Sequence, residues 1–182
     1  MVYVFIAEGF EEIEAITPID LLRRAGKQVT TVGVTGRLVT GAHGIPITTD
    51  ITCQDQSSFA DAEMVVLPGG MPGTRNLEGC EAVQTAIDYC AARGIHLAAI
   101  CAAPMILGHK NYLAGKKAVC YRGFEMELVD ADIQNQGVVT DGNITTARGA
   151  GTALEFGLEL IRVLCGEEKQ AEIRAAIQCD DL

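Results

Sequence analysis

The stretch Ile95-His96-Leu97-Ala98-Ala99-Ile100-Cys101-Ala102-Ala103-Pro104-Met105-Ile106-Leu107 decides the fold. Leu97 to Ile100 is an unbroken apolar run, as a strand buried on both faces of a parallel sheet requires. Small residues follow at once, and Pro104 stands where the first turn of a helix tolerates a missing N–H. Cys101 therefore falls on the hinge between a buried strand and a helix. Near a helix N-terminus the thiolate is expected to be favoured over the thiol. A strand–nucleophile–helix turn is the layout of the nucleophile elbow. A filler cysteine would sit within the strand, whereas this one sits at its mouth.

Outward from this turn, apolar runs alternate with helical patterns. Val2 to Ala7 reads as a first strand, and Glu8-Gly9-Phe10-Glu11-Glu12 breaks it. Ile13, Ile16, Leu21 and Leu22 then recur at helical spacing as an expected buried face, and Ala25-Gly26 closes the helix. Gln28 to Val34 is a second strand. Gly36 to Thr52 reads as a hairpin excursion, and Met64 to Leu67 as another buried strand running into Pro68-Gly69-Gly70-Met71-Pro72-Gly73. A helix over Cys80 to Ala92 precedes the focal strand. Lys117 to Tyr121 is expected as a strand. Val138 to Thr146 forms a hairpin around Asp141-Gly142-Asn143, and helices follow over Thr152 to Cys165 and Glu167 to Ile177. This alternation specifies one α/β domain over residues 1–182, a sandwich with a mostly parallel sheet.

Composition narrows the function. The chain has 182 residues and 48% hydrophobic content, enough for a sizeable core. With 14 basic against 24 acidic residues its net charge is −10, which argues against nucleic acid or an anionic membrane as partner. No run is long enough to span a bilayer. The N-terminal apolar run is short and lacks a basic region, so a cytoplasmic location is expected. The seven cysteines are odd in number and show no C-x-x-C pair, so reduced thiols are expected, with no disulfide framework or zinc site.

In a doubly wound sheet ligands sit outside the carboxyl ends of the strands. Three segments leave strand ends abruptly, Glu8 to Glu14, Pro68 to Gly73 and Cys101-Ala102, and all should open on one rim. The amides of Gly69 and Gly70, unobstructed by side chains, could join that of Ala102 in holding an oxyanion formed when Cys101 attacks a carbonyl. No phosphate loop is present. Acidic Glu11 and Glu12 read as a solvated helix start. Glu14, if turned inward, would have a raised pKa and could carry a proton at neutral pH. No histidine is an evident partner for Cys101. His96 lies at the wrong end of the strand, His109 about 12 Å along a helix, and His43 in the hairpin excursion.

Glu-Gly-Phe-Glu-Glu-Ile-Glu at 8–14, Pro-Ile-Asp-Leu-Leu-Arg-Arg-Ala-Gly at 18–26, Val-Leu-Pro-Gly-Gly at 66–70, Ala-Ala-Ile-Cys-Ala-Ala-Pro at 98–104 and Ala-Arg-Gly-Ala-Gly-Thr at 147–152 together resemble the ThiJ/PfpI superfamily, most of all its DJ-one branch. The resemblance implies a flavodoxin-like sandwich and a homodimer, with Cys101 on the nucleophile elbow and a protonated Glu14 beside it. It places pocket-lining backbone at Gly69, Gly70 and Ala102. It further implies a glyoxalase or deglycase acting on small reactive carbonyls such as methylglyoxal, with no cofactor and no metal. The competing expectation is an oxidative-stress sensor or chaperone-like protein whose cysteine goes to sulfinate, and a third is a small-ligand binding module. Where several members have histidine this chain reads Tyr121, a poor base at neutral pH, so proton transfer would fall to Glu14 alone. Arg148 is a further candidate for holding an anionic ligand.

Overall fold

A computed structural model describes residues 1–55 and 58–179. In chain order the elements are β1 (Val2–Ile6), α1 (Glu12–Arg24), β2 (Val29–Gly33), β3 (Leu38–Thr40), β4 (Pro46–Thr48), β5 (Ile51–Thr52), β6 (Met64–Leu67), α2 (Gly73–Glu78), α3 (Glu81–Arg93), β7 (His96–Ile100), α4 (Pro104–His109), β8 (Lys117–Ala118), β9 (Asp132–Ile133), β10 (Val138–Asp141), β11 (Ile144–Ala147), α5 (Ala153–Cys165) and α6 (Glu167–Ala176). The main sheet has seven strands in the order β10-β11-β7-β6-β1-β2-β5. Every neighbouring pair is parallel except β10 with β11, which join through the hairpin expected at Gly142-Asn143.

The apolar runs fill both faces because successive side chains of a strand point opposite ways. Val2, Val4 and Ile6 pack with Leu21 and Leu22 of α1 and with Phe156, Leu160 and Ile161 of α5. Tyr3, Phe5 and Ala7 face the other layer with Val83 and Ile87 of α3 and Ile106 of α4. The result is a three-layer flavodoxin-like α/β sandwich. Because β1, β6 and β7 are adjacent and parallel, their carboxyl ends open side by side, and the segments that leave them meet.

Two expectations are corrected. The buried face of α1 is not set by Ile13 and Ile16, which are exposed at 54% and 42%; Ala15, Ile19, Leu21 and Leu22 turn inward instead, and Glu14 with them. The strand expected over Lys117 to Tyr121 is regular only at Lys117–Ala118. Beyond it Val119 N–H donates to Thr146 Oγ1 and Tyr121 N–H to the Cys101 carbonyl, so these backbone groups leave the ladder. The short helix α2 carries no apolar periodicity long enough to announce it.

Candidate active site

Cys101 follows β7 directly, and its φ is +65°, a left-handed conformation uncommon for a residue with a side chain. The turn is held from both sides: Cys101 N–H donates to the Ala147 carbonyl at 2.9 Å, and the Cys101 carbonyl accepts Tyr121 N–H at 2.7 Å. Strain of this kind survives where its surroundings fix it, and it clusters at functional sites. The sulfur is thereby turned out of the sheet toward the strand ends.

Glu14 comes to it from the first turn of α1. Its side chain is 1% exposed. The carboxyl stands beside the Cys101 side chain, and Oε2 accepts Gly69 N–H at 3.0 Å. Gly69 has no room for a side chain. A Cβ there would stand 2.5 Å from Glu14 Oε2 and 2.6 Å from Cys101 Cβ. Gly70 continues the turn at φ +91°, and a Cβ on it would meet Glu11 N at 2.3 Å. Gly69 thus lets the turn after β6 press against both reacting side chains, and Gly70 lets it press against the backbone of residues 9–11.

The expectation for Gly69 is corrected here: its amide is already given to Glu14, so it orients the carboxyl and does not stand open to a ligand. The amides of Gly70 and Ala102 instead address the Cys101 sulfur.

Electrostatically the pair is mutually dependent. Burial, followed by the charge and hydrogen bond of Glu14, pushes the Cys101 thiol up to about 12, against the Gly70 and Ala102 amides, which favour the thiolate. The thiolate expected from helix position alone is therefore not the ground state beside an ionised Glu14. α4 is only six residues long and begins three residues after the cysteine, too short to outweigh these effects. Burial likewise pushes Glu14 up to about 7, opposed by its hydrogen bonds to Cys101 and Gly69 and reinforced by the charge of Glu11. Below about 7 the two groups hold two protons, and between about 7 and about 12 they hold one between them. With that proton on Glu14, the carboxylate that disfavours the thiolate is gone and the two amides remain.

Above the pair lies a cavity of about 420 Å³, lined by Glu11, Glu14, His43, Gly70, Met71, Cys101, Ala102, Tyr121, Phe124 and Ala150. All three segments expected on one rim contribute. Tyr121 does face this cavity and is half exposed, with its ring edge-on to Phe124. Arg148 does not line this cavity but the adjoining recess that shares Tyr121 and Ala150 with it, and its guanidinium donates to Asn135 Oδ1 at 3.2 Å and to the Gln136 carbonyl at 3.0 Å.

Sequence reasoning missed His43. The β3–β4 hairpin folds over the rim and brings this histidine to the cavity. Its Nδ1 lies 2.9 Å from Glu12 Oε2, and its N–H donates to Glu12 Oε1 at 2.8 Å. Glu12 is therefore not a solvated helix-start residue but a buried anchor for the hairpin, and its hydrogen bond, with the charges of Glu11 and Glu12, raises the His43 pKa. The spacing from Glu12 to His43 has no local signature, so only the tertiary fold reveals it. Glu11, Glu12 and His43 also offer ligand atoms within 4.8 Å of one another. The other two histidines are structural: His96 Nε2 bonds Thr145 Oγ1 at 2.8 Å in the core, and His109 bridges Glu78 and Glu127.

The DJ-1/PfpI family model matches residues 1–163. Protein dj-1beta of Drosophila melanogaster is 34% identical over 177 residues, covering 93% of this chain and 92% of that protein. The glutathione-independent glyoxalase DJR-1.2 of Caenorhabditis elegans is 30% identical over 164 residues, covering 89% of this chain and 87% of that protein. The structure of oxidized Toxoplasma gondii DJ-1 superposes with a TM-score of 0.90 at 32% identity, over 97% of each chain.

Proposed function

The chain belongs to the DJ-1/PfpI family, and from that premise we propose that it is a cysteine enzyme converting small 2-oxoaldehydes such as methylglyoxal to hydroxyacids, independent of any cofactor. One observation carries the reading. Cys101 and Glu14 meet against Gly69 at the wall of one cavity, with the Gly70 and Ala102 amides favouring negative charge on the sulfur.

With the pair's proton on Glu14, the Cys101 thiolate adds to the aldehyde carbon, and the new S–C bond leaves a hemithioacetal oxyanion. The Gly70 and Ala102 amides are placed to receive that charge. Glu14, having passed its proton to the oxyanion, takes the hydrogen from the former aldehyde carbon to give an enediol and returns a proton to the adjacent carbon. The product is a thioester of the hydroxyacid on Cys101. Water hydrolyses it, releasing hydroxyacid and restoring the shared proton. No electron leaves the system, since one carbon is oxidised as its neighbour is reduced. A carboxyl titrating near 7 suits a group that must both give and take a proton. An activity on carbonyl adducts of amines, the deglycase reading, would use the same addition.

The test is lactate formation from methylglyoxal by purified protein. Wild type is expected to turn over, with Cys101→Ser and Glu14→Gln losing the activity while keeping the fold. Absence of turnover in wild type, or its persistence in both variants, overturns the mechanism.

A second reading draws on Tyr121, which stands where a base would help turnover and is a poor one. In it Cys101 is oxidised by peroxide to a sulfinate bonded to protonated Glu14, without a catalytic cycle. A selective gain of two oxygens at Cys101, in protein inert toward methylglyoxal, supports this reading. We further read the chain as a cytoplasmic homodimer; the exposed Ile13 and Ile16 on α1 supply apolar surface for a second copy, and sedimentation would measure the mass.

A further inference from the structure

Away from this cavity two thiols meet whose spacing in the chain carries no pairing signal. Cys53 follows β5 at the sheet edge, and Cys80 is the N-cap residue of α3. Their sulfurs lie 3.9 Å apart. Both backbones are pinned. Cys53 N–H donates to the Gly33 carbonyl at 3.1 Å, inside a turn closed by Thr52 N–H and Oγ1 donating to Asp55 Oδ2, each at 2.8 Å. Cys80 N–H donates to the Leu77 carbonyl at 3.2 Å, and its own carbonyl accepts Gln84 N–H at 3.0 Å. As an N-cap with φ −90° and ψ 117°, Cys80 lies off the helix proper, and its side chain caps nothing. Both residues are half-buried, in contrast to the buried Cys90, Cys120 and Cys179.

We propose that Cys53 and Cys80 are an oxidisable thiol pair, forming a reversible disulfide within one chain when the protein meets a hydroperoxide. A disulfide needs its sulfurs about 2 Å apart, so the gap must close by roughly 2 Å. Burial and the neighbouring Cys80 push the Cys53 thiol up to about 12. The thiolate of one cysteine attacks the peroxide O–O bond, taking one oxygen as sulfenic acid and releasing the alcohol, or water from hydrogen peroxide. The sulfur of the other then displaces that oxygen as water, and the S–S bond forms. Two thiols supply the two electrons that reduce one peroxide. The loop so closed, from Cys53 to Cys80, contains β6 and the Gly69-Gly70 turn, so the bond would clamp the segment that positions Glu14. It requires no turnover at Cys101 and stands apart from the proposed function.

The test uses wild-type protein treated with one equivalent of hydrogen peroxide, then blocked with iodoacetamide and digested. The expected product is a cross-linked peptide pair joining Cys53 and Cys80, lighter by two hydrogens than its parts and separated by dithiothreitol. Cys165, half-buried and without a neighbouring thiol partner in the proposal, serves as the internal control and stays alkylatable. Cys80→Ser and, separately, Cys80→Ala are expected to abolish the link. Full alkylation of both Cys53 and Cys80 after peroxide overturns the proposal. So does a disulfide joining two chains, or sulfinate at either cysteine with the other still a thiol.

Discussion

Replacing Glu14 by glutamine should make the protein more stable at alkaline pH while leaving acid stability close to that of wild type. Glutamine keeps the shape, and its Oε1 can still accept Gly69 N–H. The carboxyl is raised in the fold from an ordinary 4.5 to about 7, chiefly by burial. Below pH 4.5 Glu14 is protonated in both folded and unfolded chains, and its ionisation costs nothing. As pH rises toward 7 the unfolded chain ionises freely while the folded chain resists, so stability contributed by the proton is lost across that window. The shift of about 2.5 units, at 1.36 kcal/mol each, amounts to about 3 kcal/mol. For a chain of this length that corresponds to roughly 6–12 °C in Tm. Urea unfolding of wild type and Glu14→Gln at pH 4.5 and pH 8 reads the difference directly. A variant advantage that is the same at both pH values would refute the placement of an ionisable, buried carboxyl beside Cys101.

Gly69→Ala introduces a methyl 2.5 Å from Glu14 Oε2 and 2.6 Å from Cys101 Cβ. It should cost about 1–3 kcal/mol by overpacking, measured by urea unfolding, and abolish methylglyoxal turnover. Glu12→Ala removes the acceptor for His43 N–H, His43 Nδ1 and Ile45 N–H, so limited proteolysis should cut first between residues 38 and 48. Tyr121→Phe should keep turnover within about threefold; a loss beyond about 100-fold would make the phenol a proton donor in the reaction.

The framework was legible because buried parallel strands are apolar on both faces and each ends at a glycine, proline or charged break. The elbow at Cys101 could be read from Ile100 and Pro104 on either side of it. The sequence leaves the direction of Glu14 open, and the structure turns it inward on another face of α1 than the expected one: the helix hides Ala15, Ile19 and Leu22 and leaves Ile13 and Ile16 outside. Helical spacing alone cannot choose between two apolar stripes when proline and a buried acid share the winning one. Gly69 showed its small size but not its donor's partner, since the hydrogen bond to Glu14 spans 55 residues. His43 and the Cys53–Cys80 contact were illegible for the same reason, being made across the fold between segments with no common motif.

The claim that Cys101 and Glu14 hold one proton between them is tested most directly by the pH dependence of Cys101 alkylation, followed by peptide mass spectrometry in wild type and Glu14→Gln. Loss of the first proton from the pair near 7 leaves a form in which a constant fraction carries it on Glu14, with a thiolate opposite. The rate in wild type should therefore rise through about pH 7, level off, and climb again only toward 12, whereas Glu14→Gln should lack the step near 7. A single rise centred at the free-thiol value of about 8.5, identical in both proteins, would show that Cys101 titrates alone and would contradict the account.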